Sequence, residues 1–188
     1  MLFRLAFVGD LVKKTTILCH YVKALVNSIE RNGHDSAALL RYAGIPCEVA
    51  DDVNARIPYK NFIKLMRKTM QTLDDEYFGL VNPPLKLGSF YFAGYLLIGA
   101  PNLRKALDLG VRYYRHIDNS CVVELNELNG VVTIEAKITN PSLDNDHLFA
   151  EFLLSGWHRT ACWLIGRNIV LKHVGFDYAP PSHEAEYR

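Results

Sequence analysis

The 188-residue sequence lacks an excess of charge of either sign and lacks any long apolar run. Its 21 Lys and Arg face 20 Asp and Glu, whereas a domain that grips DNA through its phosphates normally carries a clear basic excess. No stretch reaches the roughly 18 consecutive apolar residues of a membrane helix. With 49% hydrophobic residues the chain is too apolar for disorder. These counts predict one globular domain over residues 1–188 that contacts neither DNA nor membrane directly.

Paired cysteine motifs are also missing. Cys19, Cys47, Cys121 and Cys162 are widely scattered, and no two have the C-x-x-C spacing of a zinc site or a redox motif. We expect buried, reduced thiols in a cytoplasmic protein. The apolar N-terminal run 1–10 is interrupted by Asp10, Lys13 and Lys14, and no small-residue cleavage site follows, so we expect it to be retained.

Signatures of catalysis, phosphate binding and metal binding are absent as well. The seven histidines have no ligand-like spacing. His147 and Glu151, one turn apart, leave two interpretations open: a pair of ligands, or a negative charge that suits a helix N-terminus. The acidic groups Asp51-Asp52 and Asp74-Asp75-Glu76 lie between predicted helices, where such residues cap and solvate. We therefore predict no metal, no cofactor and no catalytic residue.

Hydrophobic periodicity predicts helices over the first two thirds of the chain. They cover 18–31, a short segment opened by Asp35-Ser36, and a segment starting at Pro58. Length and period do not decide the apolar segment 78–99, but the stop and N-cap at Ala100-Pro101-Asn102 favour a buried helix near 90–98 and another helix after it. On that later helix a basic set is predicted to be a solvated face: Arg104, Lys105, Arg112 and Arg115.

The pattern changes after residue 119. Period-two alternation on both sides of Asn129-Gly130 predicts a hairpin near 121–138. Asp146 is then expected to cap a helix from His147 to Ile165, and 170–178 is predicted to be a strand. Helices followed by a hairpin, a helix and a strand predict an α+β fold, with helices on one face of a small, mostly antiparallel sheet.

Aromatic residues are the feature with the clearest functional interpretation. The chain has ten Tyr, nine Phe and two Trp, and small-molecule sites are mostly apolar with a few polar groups. Core packing is the competing explanation for each residue. The candidate ligand-binding residues are Tyr91, Tyr95, Tyr113, Trp157, His158 and Arg159.

Several short segments, taken in order, resemble the N-terminal effector and dimerisation domain of AraC-type transcription regulators. The resemblance extends from about residue 18 to the end of the chain, and its specificity comes from the order and spacing of the segments. The segments are Ala38-Leu-Leu-Arg-Tyr-Ala-Gly-Ile-Pro, Ala55-Arg-Ile-Pro, Asp74-Asp75 with Phe78-Gly-Leu, Gly94-Tyr-Leu-Leu, Leu103-Arg-Lys-Ala-Leu, Val174-Gly-Phe-Asp-Tyr-Ala-Pro-Pro and Glu186-Tyr-Arg.

The resemblance implies a non-enzymatic regulatory domain of a bacterial transcription regulator. It would sense a small effector, form a homodimer, or both, and a ligand that prefers one packing of the domain would shift the population of dimer arrangements. We expect the helix 147–165 to form the dimer contact. The helix-turn-helix DNA-binding domain of such regulators is absent from this chain, so we expect Arg188 not to be a natural C-terminus.

A second hypothesis comes from another class of protein. The aromatic residues could enclose haem or a lipid, with His116 or His158 as the proximal ligand in the haem version. An enzyme is the third hypothesis, and it requires two polar side chains that converge in one pocket.

Overall fold

The structure is a computed structural model that describes residues 16–184. Two antiparallel strand pairs, β1–β2 and β3–β4, are embedded among the helices. The strands are β1 Thr16–Leu18, β2 Arg56–Pro58, β3 Cys121–Leu128 and β4 Val131–Ile138. The helices are α1 Cys19–Arg31, α2 Ser36–Ala43, α3 Cys47–Ala50, α4 Tyr59–Leu73, α5 Ser89–Ile98, α6 Leu103–Ile117 and α7 Leu148–Ile165, with a 3₁₀ turn at Pro141–Leu143.

Helices α1, α2 and α4 confirm the helices that hydrophobic periodicity predicted in the N-terminal half. Val22, Leu25 and Ile29 of α1 are fully buried and recur at helical spacing, so one stripe of the helix enters the core. The carboxylate of Asp35 accepts a hydrogen bond from the backbone N–H of Ala38 and caps α2, as its position predicts. Helix α4 begins one residue after Pro58.

The acidic segment after α4 is solvated only in part, because Asp74 is exposed as predicted and Asp75 is not. Asp75 is only 1% exposed, and its carboxylate accepts hydrogen bonds from the backbone N–H groups of Tyr77, Gly79 and Leu85. Burial raises the pKa of this carboxyl. Asp75 therefore holds the loop that leads to α5 in place. The position of an acidic residue in the sequence does not reveal whether its carboxylate will be buried in this way or will cap a helix at the surface.

Helix α6 and the hairpin form as predicted. The side chain of Asn102 accepts from the backbone N–H of Lys105 and caps α6. Strands β3 and β4 pair from Cys121 with Ile138 to Leu128 with Val131. Asn129 and Gly130 both have positive φ, 51° and 73°, which is the geometry of a two-residue type I′ turn. The basic residues of α6 are exposed, and Arg104 forms an ion pair with Glu127 of the hairpin.

The helix predicted from His147 to Ile165 is confirmed as α7, but its predicted cap is wrong. Asp144, not Asp146, accepts from the backbone N–H groups of Phe149 and Ala150, at 2.8 and 3.0 Å. His147 adopts a left-handed conformation with φ 58°, and this turn places the earlier carboxylate over the free N–H groups. Burial raises the pKa of Asp144 to about 6. The buried side chains of α7 are Leu148, Phe149, Leu153, Trp157 and Ala161.

The α+β class is confirmed, but the strand predicted at 170–178 is wrong. This segment is irregular, and Val170 is 86% exposed. Alternating side chains make a strand only where a neighbour supplies ladder hydrogen bonds, and within residues 16–184 no strand pairs with this segment. The single sheet expected from the sequence is replaced by two separate strand pairs.

The cysteines are unpaired throughout the described part of the chain. Cys19 and Cys121 are buried as predicted, whereas Cys162 is half-buried and Cys47 is exposed. The apolar run 1–10 lies outside the described residues, so its retention stays a prediction.

Candidate functional site

Helix α5 forms as predicted, but the prediction that it is buried is wrong. Of its ten residues only Ala93 and Leu97 are buried. The helix contains no charged residue, and a helix that is apolar all round normally lies in a core. The six large apolar side chains exposed on it are called the α5 face: Phe90, Tyr91, Phe92, Tyr95, Leu96 and Ile98, each 47–65% exposed.

The start of α5 is fixed by polar groups from two other parts of the fold. The carboxylate of Glu76 accepts from the backbone N–H of Gly88 at 2.8 Å and of Phe90 at 2.9 Å. Burial raises the pKa of this carboxyl. The hydroxyl of Tyr113 on α6 donates to the carbonyl of Ser89 at 2.8 Å. The exposed face is therefore held by a defined anchor and is not a frayed end.

Two tyrosines of the α5 face interact with each other. The hydroxyl oxygens of Tyr91 and Tyr95 lie 2.7 Å apart in a hydrogen bond, and their rings are perpendicular, with centroids 4.9 Å apart. The hydrogen bond raises the pKa of Tyr95. One hydroxyl donates to the other, so the pair presents mostly ring carbon and a single unshared O–H to the exterior.

A groove opens beside the α5 face, where the end of α5, the start of α6 and the end of α7 meet. Its volume is about 310 Å³, which is near the lower limit of small-molecule sites. Trp163, 46% exposed, forms one wall, and Leu97 and Leu103 contribute to the others. Asn102 supplies a polar group at the rim. We call this space the α5–α7 groove.

The predicted ligand-binding residues divide into two groups. Tyr91 and Tyr95 lie on α5, and Tyr113 contacts the start of that helix. Trp157, His158 and Arg159 are on α7. The indole is buried and packs against the Tyr114 ring.

Neither His158 nor Arg159 lines the α5–α7 groove. His158 Nε2 is hydrogen bonded to the carbonyl of Ile169 at 2.8 Å, and Arg159 is exposed. The six residues therefore do not surround one cavity, and their role in ligand binding stays a prediction. His116, the other proposed haem ligand, is exposed on α6. Neither histidine lines the α5–α7 groove.

Sequence reasoning missed a polar cluster around Glu151. This carboxylate accepts from the hydroxyl of Tyr21 at 2.8 Å and from that of Tyr178 at 3.4 Å. His183 Nε2 lies 3.1 Å from it. Helix α1, helix α7 and the C-terminal segment supply these groups, so no local spacing could reveal them. His147 stacks on the Tyr178 ring instead of joining Glu151.

No grouping of three or more His, Cys, Asp or Glu side chains suited to a metal occurs between residues 16 and 184. A second cavity, of about 320 Å³, lies near the Asp75 loop and is lined by Arg31, Asn32 and Asn82 among others. In the same described range, no helix combines the length and apolarity needed to cross a bilayer.

Comparison with known proteins decides the family. Residues 33–188 match the sequence model described as the arabinose-binding domain of AraC transcription regulator, N-terminal. The chain belongs to this AraC family. This family assignment confirms the resemblance to AraC-type regulators that the short sequence segments indicated.

The chain is also similar in sequence to a curated protein. It is the ornithine utilization regulator of Pseudomonas aeruginosa, 28% identical over 168 residues, which are 89% of this chain and 50% of the relative. The chain thus spans about half the length of this relative.

The AraC-type segments occupy the elements that build the site. The segment 38–46 forms most of α2 and its stop, 74–80 forms the Asp75 loop, and 94–97 lies within α5. The segment 103–107 begins α6. These segments therefore include part of the exposed helix and two walls of the groove. The final segment, Glu186-Tyr-Arg, lies outside the described residues.

Proposed function

We propose that this chain is the effector-sensing and dimerising domain of a bacterial transcription regulator, and that DNA binding belongs to another part of the full protein. The match of residues 33–188 to an AraC regulatory domain is the observation that supports this function most directly. The 50% coverage of the ornithine utilization regulator is consistent with a second, separate domain. The proposed role is regulatory and not catalytic, and its proposed location is the cytoplasm.

The α5–α7 groove is the proposed effector site. It is bounded by three helices, so a ligand there would contact α5, α6 and α7 at once and favour one packing of the three. Its side chains are apolar apart from that of Asn102, but much of its exposed lining is polar, so it suits a small molecule that combines an aliphatic part with polar groups, such as an amino acid. Such a ligand would act on dimerisation through its differential affinity for two arrangements of these helices.

Thermal denaturation with a panel of small molecules tests the sensing role. The panel includes ornithine and arabinose, the compounds named in the relative and in the family description, and other amino acids and sugars. A ligand at about 100 times its Kd adds about 2.7 kcal/mol to stability, which raises the Tm of a domain of this size by roughly 5–10 °C.

Two variants locate the binding site. Trp163→Ala removes a wall of the groove and is expected to abolish the ligand-induced rise in Tm. Tyr42→Ala removes a 61% exposed aromatic side chain on α2 and is expected to leave that rise intact. If Trp163→Ala retains the full response, the ligand binds elsewhere. If no compound of a broad panel changes the Tm, the sensing role is wrong.

A gel-shift assay tests the assignment of DNA binding to another domain. At about 0.15 M salt, exposed charges more than about 8 Å apart are largely screened. The chain, with a net charge of +1, is expected not to retard a duplex under these conditions. Retardation of duplex DNA by this chain alone would contradict the assignment.

A further inference from the structure

We propose that the α5 face is the surface on which a second copy of this chain docks. The inference rests on the proposed dimerisation, and it places the contact on α5 where the sequence pointed to α7. The large apolar residues that α7 buries are directed into the protein's own core. Helix α5 buries only two residues and exposes six large apolar ones.

The area of the α5 face is suited to an interface between proteins. Aromatic side chains each offer on the order of 200 Å², so the four aromatic members of the face, each about half exposed, present roughly 400 Å², and Leu96 and Ile98 add to that area. The largest apolar patch on a typical monomeric protein covers about 300–600 Å² and often has a function. A standard interface buries about 800 Å² on each partner.

The composition of the face favours a second copy over a different partner. In a two-fold dimer the same patch meets itself, so any charge near the axis would face an identical charge. Helix α5 carries no charge over its ten residues. The hydroxyls of Tyr91 and Tyr95 are hydrogen bonded to each other. The face can therefore pack against its own copy without burying a charge, and the accepting tyrosine keeps one O–H free to donate across the interface.

The face is also preorganised, so docking requires little ordering of the backbone. Glu76 and Tyr113 fix the first turn of α5 from outside the helix. Ala93 and Leu97 hold its inner side in the core. A rigid surface loses less entropy on association than a loop does.

Sedimentation equilibrium on the chain between about 1 µM and 1 mM measures the association. Phe92→Glu places a carboxylate in the most exposed part of the face, where the side chain is 65% exposed in the free chain, so folding is expected to survive. It should weaken the dimer at least tenfold, as hot-spot residues do. Leu128→Glu is the matched control, because Leu128 is 74% exposed at the tip of the hairpin. It should leave association unchanged.

The outcomes distinguish the α5 interface from dimerisation itself. A dimer that Phe92→Glu leaves intact refutes the α5 interface and leaves the proposed dimerisation standing. A strict monomer over the whole range refutes both, whereas the effector test on Tm remains independent. Circular dichroism confirms that each variant is folded.

Photo-crosslinking distinguishes a second copy from a segment of the same chain. A photoreactive phenylalanine at position 92 is used in a mixture of isotopically heavy and light copies. Crosslinks that join heavy to light chains on α5 support the docking of a second copy. Crosslinks confined to one chain, for example to the apolar stretch 1–15, overturn the inference.

Discussion

Gly110 lies at the meeting point of α5, α6 and α7 and offers a direct test of their packing. A Cβ added to this residue would lie 3.0 Å from Cη2 and 3.1 Å from Cζ3 of Trp157, and 3.4 Å from Cδ2 of Leu97. Trp157 is 7% exposed and Leu97 is 4% exposed. Neither side chain can move into solvent to make room. We therefore expect Gly110→Ala to strain the contact that joins the three helices.

Two opposing effects determine the magnitude. Alanine in a helix interior is favoured over glycine by about 1 kcal/mol, whereas overpacking a filled core costs about 1–3 kcal/mol. The variant is therefore expected to be destabilised by about 1 kcal/mol. Gly156→Ala in α7 is the matched control, because its Cβ would meet no atom within 4 Å. It should gain about 1 kcal/mol, so the two identical substitutions should differ by about 2 kcal/mol.

Urea denaturation followed by far-ultraviolet circular dichroism measures both free energies of unfolding. A third variant identifies the cause, because Trp157→Phe removes the ring that carries both close atoms. In that background Gly110→Ala is expected to become neutral or stabilising, and the cycle reports the coupling between the two positions. If Gly110→Ala stabilises the unmodified protein as much as Gly156→Ala does, the close packing inferred at this position is wrong.

Three further substitutions test the caps and the buried acids. The pKa of Asp144 is raised from 3.8 to about 6, so its proton stabilises the fold by up to about 3 kcal/mol. This stabilisation is complete below about pH 4 and is lost as the pH rises through about 6. Urea titrations should show a shallower slope over that window for Asp144→Asn, and an unchanged slope would contradict the assignment. Asp35→Ala removes the acceptor for the N–H of Ala38 and should cost about 1 kcal/mol, which thermal unfolding measures; no loss would argue against the cap. Glu76→Gln leaves one acceptor for two N–H groups and should speed hydrogen exchange in the first turn of α5, while α7 serves as the internal reference.

Local signals in the sequence predicted the elements whose stability is local. Asp35 and Asn102 are caps that act within three residues, and Asn129-Gly130 determines its turn by backbone preference alone. The strand at 170–178 could not be judged in the same way. Alternation of apolar and polar residues shows which face of a strand would be buried, but a strand also needs a neighbouring strand to pair with. Within the described residues the chain supplies no such neighbour for this segment.

Burial of acidic side chains was equally inaccessible to sequence reasoning. Asp74 and Asp75 are adjacent and chemically identical, yet Asp74 pairs with Lys86 at the surface and Asp75 is buried among three backbone N–H groups. Glu151 receives its hydrogen bonds from Tyr21 and Tyr178, which are 130 and 27 residues away along the chain. Only the fold brings such donors together, so any site that depends on them is invisible to spacing.

Helix α5 shows how a wrong prediction can carry functional information. Its apolar residues predicted a buried helix because an uncharged, aromatic-rich segment exposed to water is energetically unfavourable. The structure fixes this helix firmly and still leaves its outer face uncovered. Exposure of this apolar helix to water is still unfavourable, and a surface of another molecule that covers the helix would remove that cost. The difference between expected and observed burial is thus the main argument for the proposed dimer contact on α5.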